Sequence, residues 1–364
     1  MSENKKQQNN DLERRELLKG LATVPVFGLF LAELWRKIRR DTLKKSNILS
    51  GLVQEKSAPA IIKGLSDSKH LNIGIIGYGG RGGHLVRGAG FATTGWTNTV
   101  AENARKDKLD KQFITFMDQE DLNCSLVGVC DLFDVRAEQG LDASQNEVRP
   151  GGKPKKTATR YRHYKDLLAN DDIDAVIIAT PDHWHSRITI DAAKAGKHVY
   201  CEKGLTRTFQ EAIDVYDVVK ETGITFQLGH QNRQVEANEK AKQIIEQGLL
   251  GKINLVELAT NRNSPGGAWV WGIHPEGNAK TIDWDTFQEP APNKIPFGEE
   301  ALKRFFRWRC WFDYGTGLSG DLLSHDFDAI NQIMDLGIPK YSSSTGGIYF
   351  YKDGRDVPDV WNAT

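Results

Sequence analysis

The 364-residue chain has no excess of charge of either sign, with 48 Lys and Arg against 48 Asp and Glu. A nucleic-acid-binding domain ordinarily carries a basic surplus, so the balance argues against that class. Cysteine is scarce. Cys124, Cys130, Cys201 and Cys310 show no C-x-x-C spacing, which argues against a disulfide framework or a zinc ribbon. Long apolar runs are also missing. The stretch Gly20–Ala32 would rise only about 20 Å as a helix, too short to span a bilayer comfortably. A multi-span membrane protein is thereby excluded. Hydrophobic residues at 39% and charged residues at 26% suit a globular chain rather than a disordered one. The length fits about two domains.

The overall balance hides an asymmetry. Residues 1–63 hold 13 Lys and Arg against 7 Asp and Glu. Arg14-Arg15, Leu17-Leu18-Lys19 and the short apolar stretch after them resemble a twin-arginine export signal. The expectation is a signal or anchor over 1–40, a polar linker over 41–70, and a periplasmic or outward-facing membrane-anchored protein that meets the export machinery. No small-x-small cleavage site follows the apolar run directly, so the segment could stay as an anchor. An amphipathic helix with a basic end, in a cytoplasmic protein, is the alternative.

Glycine is abundant at 35 residues, and it clusters. The β-branched run from Leu71 to Ile76 feeds Gly77-Tyr78-Gly79-Gly80-Arg81-Gly82, a G-x-G-x-x-G turn with a helix expected over His84–Gly88. The first Gly allows the tight turn, the second lets backbone approach a pyrophosphate, and the third lets helix and strand pack closely. A second strand, Ser125–Cys130, ends at Asp131, an acid placed to bond an adenosine ribose and to favour NAD over NADP. A turn or N-cap role is the plainer reading of Asp131. The glycine-to-acid gap is longer than usual, which predicts a looped-out insertion within 89–123.

Further strands are predicted at Ile173–Ala179, Lys197–Cys201 and Ile224–Leu228, with helices at Tyr164–Ala169, from Thr180–His185 through Ala195, and at Phe209–Thr222. Such alternation predicts a parallel sheet covered on both faces, with ligands at the carboxyl ends of its strands. Gly77–Gly82, Asp131, Thr180–His185 and Glu202–Lys203 all fall at those ends. The fold class is therefore α/β: a Rossmann-type parallel-sheet domain over 71–230, then an α+β domain with a mainly antiparallel sheet over 231–364. That second domain opens with a strand at Ile253–Ala259, and its last strand candidates are Thr345–Lys352 and Asp359–Thr364. Its sheet looks small, as in a reduced or C-terminally incomplete domain.

The segments GIIGYGGRG, AVIIATPDHWH, AGKHVYCEKGL and GDLLSHDFD, in this order, resemble the Gfo/Idh/MocA oxidoreductases, the glucose–fructose oxidoreductase and inositol dehydrogenase group. The resemblance covers about residues 70–364. It implies a nicotinamide enzyme acting on a sugar, polyol or related hydroxyl compound. It also implies that Lys203 lies beside nicotinamide and substrate, and that Asp321 and His325 belong to the active site facing it. Gly204 departs from the pattern, standing where the family usually has Pro. Cofactor contacts are expected from Gly77, Tyr78, Gly79, Gly80, Arg81, Gly82, Asp131, Thr180, Pro181, His185, Glu202 and Lys203.

In a helix, Asp321 and His325 share a face at i and i+4. A His suits removal of a hydroxyl proton near neutral pH, and a carboxylate beside it can orient it. An N-cap Asp with a packed helical His is the plainer alternative. Residues 261–315 are rich in Trp and Arg, as in either a loop pinned by aromatics or a carbohydrate pocket. Candidate lining residues are Arg307, Trp308, Arg309, Trp311, Asp313 and Tyr314. His183 and His185 would point opposite ways in an extended chain, and no acid or Cys cluster completes a site, so no metal is assigned.

Three functions remain open: an NAD(P)-dependent dehydrogenase of a carbohydrate, NAD-assisted cleavage or elimination through transient oxidation, and a non-catalytic dinucleotide or sugar sensor. A small-molecule substrate, a homo-oligomer and no nucleic-acid partner are expected.

Overall fold

A computed structural model describes residues 70–145, 157–262 and 264–364. The Arg14-Arg15 motif, the apolar run and the 41–69 linker lie outside the described residues. Among the described residues no helix is long and apolar enough to cross a membrane.

Six strands form one parallel sheet: β1 (Leu71–Ile76), β2 (Cys124–Cys130), β3 (Thr159–Tyr161), β4 (Ala175–Ile178), β5 (His198–Glu202) and β6 (Phe226–Gly229). Their order is β3-β2-β1-β4-β5-β6. The strand order reverses at β1, which is flanked by β2 and β4, and a crevice opens at such a switch point. Ile76 pairs with Cys130 on one side and Ile178 on the other. Gly77, Asp131 and Ala179 therefore leave the sheet at one level, on the rim of that crevice.

The strands are buried because both faces are covered. On one face Ile76, Val176 and Ile178 pack with Leu167, Trp184 and Ile188. On the other Ile73, Ile75 and Val129 pack with Tyr78, Val86 and Ala143. The covering helices are α1 (Gly80–Gly88), α2 (Thr94–Lys106), α3 (Gln112–Met117), α4 (Asp134–Gln145), α5 (Tyr164–Leu168), α6 (Asp182–Lys194) and α7 (Phe209–Thr222). α7 starts on a capping box between Thr208 and Glu211 and ends on Gly223 at φ 65°. These two signals fix both ends at the predicted residues.

Two expectations change here. α1 begins at Gly80, inside the glycine turn, rather than at His84. The 89–123 insertion is largely helical rather than a loop. Thr93 caps α2 by accepting from the Trp96 N–H, and Asp142 accepts from the Thr94 N–H and hydroxyl, both at 2.8 Å. Trp96 then meets Phe116 of α3 edge-on at 5.2 Å.

The described residues from 70 to 234 and from 257 to 364 form one unit. Its later part contains α9 (Trp284–Phe287), α10 (Glu299–Phe306), α11 (Ser324–Met334) and the antiparallel pair β7 (Ser344–Gly347) and β8 (Val360–Ala363). An aromatic core joins Phe133 to Trp284, Phe287, Phe305, Phe306 and Tyr314. The described part of the other unit is Val235–Val256, which carries helix α8 (Glu236–Glu246). The strand expected at Ile253–Ala259 is absent, and these residues have no regular structure. A strand needs partners for its N–H and C=O groups, and among the described residues β7 and β8 pair only with each other.

Candidate active site

The glycine turn has the shape its sequence calls for. Gly77 sits at φ 91°, and a Cβ there would lie 2.7 Å from the Ala179 carbonyl oxygen. A Cβ on Gly82 would lie 2.0 Å from the Gly77 carbonyl oxygen. Only glycine fits either position. Gly80, by contrast, faces open space. Gly77, Gly79 and Gly80 edge a cavity of about 430 Å³ that is also lined by Asp131, Thr180, Pro181, Glu202 and Lys203, and by Trp271, Trp308 and Arg309.

Asp131 is 8% exposed. Its two oxygens accept from the Tyr78 N–H at 2.7 Å and the Phe133 N–H at 2.9 Å. The turn role is thus real, and each oxygen keeps a lone pair for a further donor. Burial raises its carboxyl above the usual range, against the pull of Arg136 and the two N–H groups. The Thr180 hydroxyl oxygen is buried without a partner. An orphaned hydroxyl, a carboxyl with free lone pairs and two glycines that leave the helix N-terminus uncovered together fit a dinucleotide.

Arg81 donates to Glu202 at 2.7 Å, and both edge the cavity. Tyr78 is placed differently from the sequence reading. The Tyr78 ring is buried in the core, and burial pushes its phenol to about 12, so only its backbone serves the turn. His185, 1% exposed, has its ring nitrogens against the Gly204 carbonyl oxygen at 2.9 Å and the Thr180 carbonyl oxygen at 2.8 Å. His185 also lines the cavity, and its ring ties the β4 loop to the β5 loop.

Lys203 donates to both the carbonyl and a carboxylate oxygen of Asp321, each at 2.6 Å. Arg309 donates to the same carboxylate at 2.9 Å. Burial pushes the Asp321 carboxyl up, but Arg309 and Lys203 outweigh it and hold the group down at about 2. Asp321 lies in a π-turn, Ser319–Leu323, that leads into α11. Such turns recur at functional sites. Its carboxylate is held by Lys203 and Arg309, so it does not orient His325 by a hydrogen bond as the i,i+4 spacing suggested. The His325 Nδ1 is buried and unpartnered. Burial first, then the Lys203 charge, lower its imidazole below the usual range, with Asp321 opposing. Asp321 and His325 do not line the cavity; Lys203 and Arg309 connect them to it.

Of the residues assigned to substrate, Trp308 and Arg309 line the cavity, with the Arg309 guanidinium 4.1 Å from the Trp308 ring centroid. Arg307 donates to the Trp271 carbonyl at 2.6 Å. Trp311, Asp313 and Tyr314 are core residues at 3%, 7% and 0% exposure. Asp313 is occupied by Asn293 and Arg304. Aromatic packing on Phe287 and Trp284 draws Tyr314 inward. His183 and His185 sit in α6 rather than in extended chain. Among the described residues no group of three or more His, Cys, Asp or Glu could hold a metal.

The sequence reading did not single out Asp182, Arg136, Trp271 or His230 as site residues. Asp182 lines the cavity and accepts from the Thr316 N–H and hydroxyl. The His230 ring stands 6.2 Å from that of His325, with its Nδ1 3.9 Å from Asp328. It follows the last residue of β6, so the strand-end rule alone points to it.

The model of the oxidoreductase family Gfo/Idh/MocA, NAD-binding Rossmann fold, matches residues 71–230. Residues 71–230, a little under half of the chain, thus resemble the NAD-binding domain of that family. A levoglucosan dehydrogenase of Pseudarthrobacter phenanthrenivorans is 28% identical over 200 residues, covering 50% of this chain and 41% of that protein. A 2,7-anhydro-N-acetylneuraminate hydratase of Escherichia coli is 35% identical over 125 residues, covering 34% of this chain and 30% of that protein. A crystal structure of an NAD-binding protein from Listeria innocua is 23% identical, with a TM-score of 0.47 over 81% of this chain and 63% of that one. The chain spans less than half the length of these two curated relatives.

Proposed function

We propose that the protein is an NAD-dependent oxidoreductase that moves hydride between nicotinamide and a hydroxyl carbon of a sugar, polyol or related carbohydrate. The carrying observation is a single cavity with dinucleotide-binding features at Gly77–Gly80 and Asp131, and a charged cluster of Lys203, Asp321 and Arg309 beside Trp308. Bound NAD would supply the hydride acceptor. Lys203 offers a cation for an alkoxide, Trp308 an apolar face for sugar C–H groups, and His325 a base for the hydroxyl proton. The two similar proteins named for carbohydrate chemistry support the substrate class. Denaturing the purified protein should release NAD, and a panel of sugars and polyols should produce a nicotinamide absorbance change with at least one member. Absence of any dinucleotide, and of binding on titration, would refute the reading. Titration should also show NAD bound more tightly than NADP, because a 2′-phosphate beside the Asp131 carboxylate is repelled. Tighter NADP would reverse that assignment.

One observation favours a second reading, transient oxidation followed by elimination or hydrolysis. That chemistry moves a second proton, and His230 gives the site a second imidazole beside His325. Net NADH accumulation would point to the dehydrogenase, and product formed without it to the second reading.

The export reading belongs with this proposal. Twin-arginine export carries folded proteins, so a cofactor could be loaded before crossing. Arg14→Lys with Arg15→Lys should hold the protein in the cytoplasm. Fractionation that finds the unsubstituted protein wholly cytosolic would end that part of the reading.

A further inference from the structure

Asp182 is the first residue of α6, and it is 3% exposed. A buried carboxylate is costly unless it is hydrogen-bonded. An acid in a first helical turn suits the free N–H groups of its own helix, but Asp182 turns to a residue 134 positions along the chain. Its Oδ2 accepts from the Thr316 N–H at 3.0 Å and from the Thr316 hydroxyl at 2.6 Å. Hydrogen bonds to a charged acceptor are the strong ones.

Thr316 in turn carries the segment that holds Asp321. Its carbonyl accepts from the Ser319 hydroxyl at 3.0 Å and from the Gly320 N–H at 3.4 Å. The π-turn, Ser319–Leu323, winds so tightly over Thr316 that a Cβ on Gly320 would lie 2.0 Å from the Thr316 Oγ1. Gly204 approaches the same hydroxyl. A Cβ there would lie 3.1 Å from the Thr316 Oγ1 and 3.7 Å from the Asp182 Oδ2. Gly204 directly follows Lys203, and its carbonyl oxygen lies 2.9 Å from the His185 Nδ1. Both members of the Lys203–Asp321 pair therefore adjoin the Asp182–Thr316 contact. Lys203 does so through Gly204, and Asp321 through the turn that begins on the Thr316 carbonyl.

We propose that Asp182 is a positioning residue: through Thr316 it holds the π-turn where Asp321 meets Lys203, and Gly204 leaves that latch its room. A charged pair keeps one geometry when a second layer of bonds fixes the elements that carry it. The proposal rests on the reading of Lys203 as the cation of the site. Lys203 itself gives the readout, without cofactor or substrate: brief acetylation of the folded protein with acetic anhydride, then mass spectrometry of the lysine peptides. An ammonium that donates to a buried partner reacts only when that contact opens. Lys197 is the internal control, being 5% exposed with its Nζ donating to the Asn170 carbonyl at 2.8 Å.

Thr316→Val keeps the shape and the N–H and removes the hydroxyl. It should speed Lys203 acetylation about ten- to a hundredfold, the scale of one hydrogen bond to a charged group, and leave Lys197 as in the parent. Thr316→Ser keeps the hydroxyl and should behave as the parent does. Asp182→Leu removes both acceptors and should match or exceed Thr316→Val. Gly204→Ala, whose Cβ crowds the hydroxyl, should move Lys203 in the same direction, and it replaces the other two if neither folds. With a substrate in hand, Thr316→Val should lower kcat and leave NAD titration unchanged.

Unchanged Lys203 acetylation in these variants would overturn the proposal. An equal rise at Lys197 would overturn it too, by making Thr316 a general prop of the fold. A protein that binds no NAD yet shows the rise at Lys203 alone would refute the proposed function and leave the latch standing.

Discussion

Replacing His325 by alanine should lower kcat about 10²–10⁴-fold, the usual range for a lost general base, with NAD titration unchanged. Lys203 is poorly suited to be that base, because it already donates twice to Asp321. Asp321 is held down at about 2 by Arg309 and Lys203, which makes it a weak proton acceptor. His325 keeps a buried Nδ1 with no partner. Its neutral form is favoured by burial and then by the Lys203 charge. A base works when unprotonated, so kcat/KM should fall as pH drops through an imidazole value that lies below that of a free histidine. The acid limb should disappear in the alanine variant. With a C-deuterated substrate showing that hydride transfer limits the rate, turnover within a factor of about two of the parent would remove His325 from the mechanism.

The glycine turn that edges the cavity was legible because its signals are local. A strand, a glycine turn and a helix lie within residues 71–88, and Gly77 and Gly82 are required by contacts with Ala179 and with the turn itself. Asp131 was legible for a related reason: it ends a buried strand that pairs beside β1. The Trp- and Arg-rich segment was read less well because burial there is decided by distant partners. Trp308 and Trp311 look equivalent in sequence, yet one lines the cavity and the other joins a core built on Phe133 and Trp284. The spacing of Asp321 and His325 suggested a mutual contact. The π-turn and two basic partners from Lys203 and Arg309 give the carboxylate other company. The place of Arg136 on the cavity's edge could not be read without Phe305 and Phe306, which lie about 170 residues farther along the chain.

Lys203→Met should have the other large effect, and it separates catalysis from architecture. Methionine keeps much of the side chain's length and removes the charge. The Lys203 and Asp321 side chains are each 9% exposed, so the substitution leaves a buried carboxylate with Arg309 as its remaining cation. Removing one partner of a buried pair costs roughly 3–5 kcal/mol, and the retained Arg309 argues for about 3 kcal/mol. Linkage gives a second readout. Asp321 is lowered from its ordinary value when folded, so its contribution to stability is full above about pH 4 and is lost as pH falls toward 2. In the variant the carboxyl should rise, and less stability should be lost over that acid window. Turnover should fall about 10²–10³-fold if the ammonium stabilises an alkoxide, by analogy with removal of one oxyanion donor. Asp321→Asn relieves the buried charge while keeping Lys203. Added to Lys203→Met, it should recover most of the lost stability and none of the lost turnover. Recovery of both would make Lys203 a structural counter-ion, and full turnover in the single variant would remove its ammonium from the mechanism.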